Sequence, residues 1–99
     1  MKKFAYILMG ASLDTNNHIA EFDAGFTKIC IHSVRSVEEA KEKVIGLWHE
    51  GFGVIELCGA FGRDLAIELM HLTNNEVAIG YVIHEPEQDE LFAQFFSRK

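Results

Sequence analysis

The sequence predicts a small α/β domain with an open, mainly parallel four-stranded sheet, βαβ crossovers and a C-terminal helix. Short apolar runs alternate with helical patterns along the chain, which is typical of parallel strands joined by crossover helices. The first run, residues 3–9, is apolar on both strand parities, as expected of a strand covered on both faces. A chain of 99 residues has the length of one domain, and we predict a single α/β domain over residues 1–99.

Three later apolar runs predict the remaining strands. They extend from Thr27 to Val34, from Gly53 to Leu57 and from Val77 to Ile83. The predicted helix between the second and third runs is closely joined to both. This strand, helix and strand should therefore form a right-handed βαβ unit.

The helix after the second run has the clearest signals. Ser36 followed by Glu39 fits a capping box, in which each side chain satisfies a free amide at the helix start. Gly51 is placed to end the helix in the left-handed conformation. The apolar residues between them recur at helical spacing and form one stripe, namely Val37, Ala40, Val44, Leu47 and Trp48.

Two further helices are predicted. One extends from about Gly62 to Thr73, and Asn74-Asn75 supplies its end. The other starts at Pro86, which is well tolerated at the first helical position. Arg98 and Lys99 suit the negative end of its dipole, and its apolar stripe consists of Leu91, Phe92, Phe95 and Phe96.

Residues 10–26 allow two interpretations. Asn17 to Phe22 fits a short helix, which would make the chain a series of β-α units, or an ordered loop. If this segment is not helical, the first strand is expected antiparallel at an edge of a mixed sheet. A ferredoxin-like α+β arrangement is the alternative fold.

Composition and charge exclude several classes of protein. Apolar residues make up 48% and charged residues 24% of the chain, which excludes a disordered tail or a repeat array. The net charge of −6 gives no general attraction for nucleic acid or anionic lipid. No apolar run approaches the ~20 residues of a membrane helix. We expect neither nucleic acid nor a membrane as a partner.

Cys30 and Cys58 lie in or beside apolar runs. The run from Phe4 to Met9 follows two lysines, but it is too short for a secretory signal and has no cleavage pattern beside it. Free buried thiols and a cytoplasmic location are therefore expected, with a Cys30–Cys58 disulfide as the alternative.

Titratable residues stand at the carboxyl ends of three predicted strands. His32 ends the second strand, Glu56 and Cys58 end the third, and His84 with Glu85 follows the fourth. Ligands of open parallel sheets bind beyond the carboxyl ends of the strands. The sequence therefore predicts a small-molecule site at this edge.

Glu56 interrupts an apolar run, and a buried carboxylate must be paired, hydrogen-bonded or protonated. It is the predicted general acid/base or ligand anchor, and the alternative is a partly solvated carboxylate at a strand end. Cys58 precedes a glycine-containing turn into a helix, where a thiol can be activated, and His84 lies near enough in the predicted sheet to act as its base. The alternative is a small buried apolar side chain.

Backbone amides at the start of the second predicted helix would cradle an anion, with Arg63 as the counter-charge. The residues predicted to bind a ligand are Gly59, Phe61, Gly62, Arg63, His32 and Glu85. The histidines show no metal-binding spacing, and each titratable strand-end position stands alone, so no metal site is predicted. No cofactor follows from the sequence.

Two motifs carry a resemblance to a known family. They are Ile55-Glu56-Leu57-Cys58-Gly59-Ala60-Phe61-Gly62 and Gly80-Tyr81-Val82-Ile83-His84-Glu85-Pro86-Glu87-Gln88-Asp89. With them the chain resembles, over nearly its whole length, a family of small bacterial proteins classed as a domain of unknown function. The resemblance implies a small bacterial, cytosolic protein, and it transfers no catalytic role.

Two functions remain open. One is a homo-oligomer that binds a small molecule, or catalyses a reaction, at the strand ends. The other is a non-catalytic self-association or protein-interaction module with no small-molecule site. In either case Phe92, Phe95 and Phe96 are the candidates for contact with another subunit.

Overall fold

A computed structural model describes residues 1–97. Its strands are β1 (Lys2–Met9), β2 (Ala20–Ala24), β3 (Thr27–Val34), β4 (Val54–Leu57) and β5 (Ala78–Tyr81). Its helices are α1 (Val37–His49), α2 (Gly62–Leu72) and α3 (Asp89–Phe96), and a 3₁₀ turn (Pro86–Gln88) precedes α3. Arg98 and Lys99, which the sequence places at the negative end of the last helix dipole, lie outside the described residues.

The predicted α/β class is confirmed, with five strands in place of the four expected. The strand order is β2-β3-β1-β4-β5, and β1, β3, β4 and β5 are all parallel. This parallel arrangement excludes the ferredoxin-like alternative. The sheet is mixed because β2 pairs antiparallel with β3, whereas β1 lies at the centre and not antiparallel at an edge.

The unpredicted strand β2 forms a hairpin with β3. Gly25 allows the tight turn between them, since its φ is +69°. The segment Ala20–Ala24 alternates Ala20, Phe22 and Ala24 with two acidic residues, and this is the period of a strand. The short helix expected for Asn17 to Phe22 is absent: residues 17–19 belong to the loop after β1, and Ala20 to Phe22 belong to β2.

Helix α1 begins and ends where the sequence predicts. The Glu39 amide donates to Ser36 Oγ over 3.2 Å, and Gly51 beyond the helix has a φ of +91°. The other half of the capping box differs, because the Glu39 carboxylate accepts from the Arg35 amide over 2.9 Å. This carboxylate therefore fixes the residue before the cap rather than the cap itself.

One face of the sheet is covered by helices. Helices α1 and α2 contact each other, and the central strand side chains facing them are fully buried, while Met9, Ile79 and Tyr81 at the margin of this face are partly buried. Phe52 and Phe61 join this core from the loops before and after β4. The strand residues of the core are Ala5, Ile7, Cys30, Val34, Ile55 and Leu57.

The opposite face, which we call the open face, has no helix packed along it. Its side chains alternate with the core residues. The apolar ones on β1, β3 and β4 are half-buried, whereas those on the edge strand β2 are exposed, and Phe22 there is 52% exposed. The prediction that the first strand is covered on both faces is wrong for this single chain. The apolar and aromatic residues of the open face are Phe4, Tyr6, Phe22, Ile29, Ile31 and Val54.

Helix α3 packs mainly on the 3₁₀ turn before it and leaves its apolar stripe in solvent. Phe92 is 41%, Phe95 64% and Phe96 74% exposed, and Leu91 is exposed as well. Phe95 and Phe96 contact each other edge to face, with ring centroids 5.0 Å apart. We call Phe92, Phe95 and Phe96 the aromatic cluster.

Across residues 1–97, every helix is too short or too polar to cross a membrane.

Candidate functional site

A cavity of about 670 Å³ lies at the carboxyl ends of β1, β4 and β5. Such a volume is typical of small-molecule sites. The wall combines strand ends, the turn after β4, the segment before α3 and α3 itself. Its lining residues are Leu8, Met9, Leu13, Cys58, Gly59, Ala60, Val82, Ile83, His84, Phe92, Ala93 and Phe96.

The topology accounts for the position of the cavity. Strands β1 and β4 are neighbours, but the chain leaves β1 towards β2 and β3, and it leaves β4 towards β5. Connections that diverge from two adjacent parallel strands leave a crevice at their carboxyl ends. The cavity begins in this crevice, between Met9 of β1 and Cys58 after β4.

His84 is the most firmly held polar side chain of the cavity wall. Its Nε2 lies 2.7 Å from Asp89 Oδ1, and its ring stacks on Phe92 with centroids 3.9 Å apart. A carboxylate on one ring nitrogen fixes the orientation of an imidazole and leaves the other nitrogen for a ligand. Asp89 was not among the site residues predicted from the sequence. The only signal was its position five residues after His84, beyond the turn at Pro86.

Cys58 lies in the same wall as His84. Its sulfur accepts a hydrogen bond from the Met9 amide over 3.4 Å, and its side chain is half-buried. Both cysteines are free, so the alternative disulfide is not formed. Cys30 is buried in the core, where burial and its hydrogen bond to Glu21 raise the pKa of its thiol.

Glu56 lies on the open face, outside the cavity wall. Its carboxylate lies over Gly80, where a Cβ would approach its Oε2 to 2.5 Å. Glu56 is the register partner of Tyr6, and burial, followed by the charges of Cys58 and Glu56, raises the pKa of the Tyr6 hydroxyl. Tyr6, Glu56 and Cys58 are therefore neighbouring polar side chains on the open face, and Cys58 is the one that reaches the cavity.

The residues predicted to bind a ligand have separate locations. Gly59 is in the cavity wall, but Phe61 is a core residue at 6% exposure. Gly62 starts α2 with a φ of +75°, and Arg63 points into solvent beside Asp64. Glu85 is exposed and does not line the cavity. The structure thus brings together Cys58, Gly59 and His84 from the predicted set.

His32 lies on the helix-covered face of the sheet, away from the cavity. It pairs in register with Ile7, is 8% exposed, and its Nδ1 has no partner among the described residues. The strand continues beyond it to Val34, so His32 does not emerge at the sheet edge. Burial, with a smaller contribution from the charge of Lys43, lowers the pKa of the His32 imidazole.

We expect His32 to make the fold sensitive to mild acid. Its pKa in the folded chain lies below the unfolded value of about 6.5, so the unfolded state takes up the proton first. The free energy of unfolding should be constant above that pH and fall as the pH decreases below it. Urea titrations between pH 5 and 7.5 should show this slope in the wild type and a flatter profile in His32→Leu. His71→Gln, which alters an exposed histidine, should keep the wild-type slope. An unchanged slope in His32→Leu would contradict the assignment.

Within residues 1–97 the structure contains no group of three or more His, Cys, Asp or Glu side chains placed to hold a metal ion. His32 and Glu56 project from opposite faces of the sheet, so the strand-end residues His32, Glu56, Cys58 and His84 do not converge on one point.

Most of the cavity wall was not predicted from the sequence. Six of its nine apolar residues come from α3, from the segment before it and from Leu13 in the loop after β1. Only the tertiary placement of α3 brings these residues to the strand ends. A possible signal was the apolar pair Val82-Ile83, which continues past the end of β5 at Tyr81.

Comparison with known proteins gives the family and no activity. Neither a curated protein nor a solved structure shows significant similarity to the chain. Residues 2–97 match a family of unknown function (DUF6506), and this match covers nearly the whole chain. The chain therefore belongs to the family of unknown function DUF6506.

Proposed function

We propose that the protein binds a small, largely apolar molecule in the cavity at the carboxyl ends of β1, β4 and β5. The observation that carries the proposal is the cavity itself, because its size and its position in the crevice between diverging connections are those of a ligand site. Nine of its lining residues are Leu, Met, Ala, Val, Ile or Phe, which favours an apolar ligand body.

The polar groups of the wall supply one anchoring point. His84 is oriented by Asp89 through Nε2, so its Nδ1 is the ring nitrogen that can accept a hydrogen bond from a ligand hydroxyl. The Cys58 thiol lies in the same wall. A few placed polar groups in an apolar wall fix the orientation of a ligand without dominating its affinity.

A catalytic version of the site is the second candidate, favoured by the presence of Cys58 and the His84–Asp89 pair in one wall. In this version Cys58 is the nucleophile, His84 accepts its proton, and Asp89 holds the imidazole in place. Glu56 would act as acid/base or anchor from the open face of the sheet. The amides of residues 59–62 and Arg63 would receive an anionic group.

A thermal-shift screen tests the binding proposal. The probes are medium-chain fatty acids, indole and other apolar metabolites, because a molecule that binds only the folded state raises its stability. Stabilising compounds should lose their effect in Ala93→Trp, in which an indole enters the cavity from α3. Glu56→Gln should keep the ligand-induced stabilisation if the ligand lies inside the cavity. Loss of the stabilisation in this variant would indicate that Glu56 belongs to the site. A screen with no stabilising compound would contradict the proposal.

Alkylation rates test the catalytic version. We expect iodoacetamide at neutral pH to modify Cys58 faster than Cys30 by at least about tenfold, since a raised pKa and burial suppress thiolate at Cys30. Cys58→Ser and Cys30→Ser variants assign each rate by mass spectrometry. His84→Gln should slow the reaction at Cys58 if His84 is its base. Equal rates for the two thiols would count against a nucleophilic Cys58.

We also propose that the chain self-associates in a bacterial cytoplasm, with or without a ligand. Support comes from the exposed aromatic cluster on α3, since contiguous exposed aromatics are typical of interfaces. The two free cysteines suit a reducing compartment. If the cavity proves empty of ligand, this self-association is the remaining function.

A further inference from the structure

The open face of the sheet is apolar, although no layer of this chain covers it. Aromatic or β-branched side chains occupy it on β1, β2, β3 and β4. The core strand residues that face α1 and α2 are by contrast fully buried, with only marginal residues of that face partly exposed. Parallel sheets normally have both faces covered, because their strands are apolar on both sides. One layer is therefore missing from the single chain.

Helix α3 of the same chain does not supply that layer. It packs mainly on the 3₁₀ turn before it and reaches the sheet at the cavity, near Leu8 and Val82. It has eight residues, about 12 Å of helix, which is too short to cover the sheet. No described segment of this chain therefore supplies the missing layer.

We infer that the open face packs against the open face of a second copy of this chain. The inference rests on the proposed self-association and does not depend on any ligand of the cavity. It places the contact on β1, β2, β3 and β4 rather than on α3 alone.

The size of the face fits a dimer. The two longest strands, β1 and β3, have eight residues each and are about 26 Å long, and five strands are about 24 Å wide. Because the other strands are shorter, the projected area is about 450 Å² per copy. Side chains enlarge the true surface beyond this projection, so two copies together exceed the ~1,000 Å² expected of a specific interface.

The chemistry of the face favours a second copy over other partners. Glu56 is the only charged side chain of its central region, so the face offers no charge pattern for a strongly charged partner. The net charge of −6 disfavours an anionic membrane. A flat apolar patch is self-complementary under a two-fold axis, and every copy carries the same uncovered face.

Phe22 and Phe26 provide a matched pair of variants. Phe22 lies on the open face at the edge strand and is 52% exposed, so a charge there is tolerated in the monomer. Phe26 lies in the neighbouring turn, off the face, and is 89% exposed. Both are changed to Glu, and Phe22→Leu restores an apolar side chain. Phe95→Asp reports separately on the aromatic cluster.

Sedimentation velocity across a dilution series measures the association of each full-length variant. We expect a wild-type dimer, a dimer dissociation constant raised at least about tenfold in Phe22→Glu, and wild-type values in Phe26→Glu and Phe22→Leu. Near-UV circular dichroism checks folding, and Val54→Glu is measured instead if Phe22→Glu does not fold.

The outcomes separate this inference from the earlier proposals. A wild-type monomer at high concentration overturns both the open-face contact and the proposed self-association. Dissociation by Phe95→Asp together with an unchanged constant in Phe22→Glu overturns the open-face contact alone. Neither result bears on the cavity, whose ligand screen is independent of the oligomeric state.

Discussion

Leu57→Ala should lower the free energy of unfolding by about 3 kcal/mol, because it opens a void in the middle of the helix-covered layer. Leu57 is fully buried on β4 and lies between Ile7 of β1 and Tyr81 of β5. A domain of this size has about 5–15 kcal/mol of stability, so the change removes a large share of it. The unfolding midpoint should fall by more than about 10 °C.

Phe95→Ala is the matched control, since it removes a larger side chain from a position that is 64% exposed. We expect its free energy of unfolding to stay within about 0.5 kcal/mol of the wild type at low protein concentration. If α3 contributes to an interface, the loss should grow with protein concentration, because association stabilises the folded state by mass action. Equal losses for both variants at all concentrations would mean that α3 belongs to the core. Urea unfolding at two concentrations makes the comparison.

Local signals in the sequence were sufficient to predict both ends of α1. The Ser36 hydroxyl and the left-handed Gly51 act within a few residues of themselves, so the helix ends can be read from the sequence alone. Strand β2 was missed because its formation depends on pairing with β3, and an edge strand with two acidic residues has a weak apolar pattern. The helix α3 was predicted, but the exposure of its apolar stripe could not be, since exposure depends on which surface the helix meets.

The cavity wall was likewise predicted only in part, because some of its residues follow from strand order and others do not. Cys58 and His84 follow strands, and parallel topology brings strand ends together whatever the details of packing. His32 does not reach the cavity, because its strand extends to Val34 and its position along the strand directs its side chain towards the helices. Asp89 and Phe92 reach His84 across the 3₁₀ turn at Pro86–Gln88, a local contact for which the sequence offers no spacing rule.

The cavity proposal has its largest expected effect in Ala93→Trp. Ala93 is the small lining residue on α3, between Phe92 and Phe96 of the same wall. An indole at this position would displace a bound ligand from about 100 Å² of contact, which is worth about 2.5 kcal/mol, or roughly fifty- to a hundredfold in affinity. The affinity of any compound found in the screen should fall by this factor.

Leu91→Trp provides the control, because Leu91 is 60% exposed on the same helix and does not line the cavity. At a ligand concentration a hundred times the wild-type dissociation constant, binding adds about 2.7 kcal/mol to stability, or about 13 °C in the unfolding midpoint. A hundredfold weaker site leaves about 0.4 kcal/mol, or about 2 °C. Leu91→Trp should keep the full shift and Ala93→Trp should lose most of it. Equal shifts of the unfolding midpoint in both variants would mean that the ligand binds outside the cavity. The role left for α3 would then be association alone.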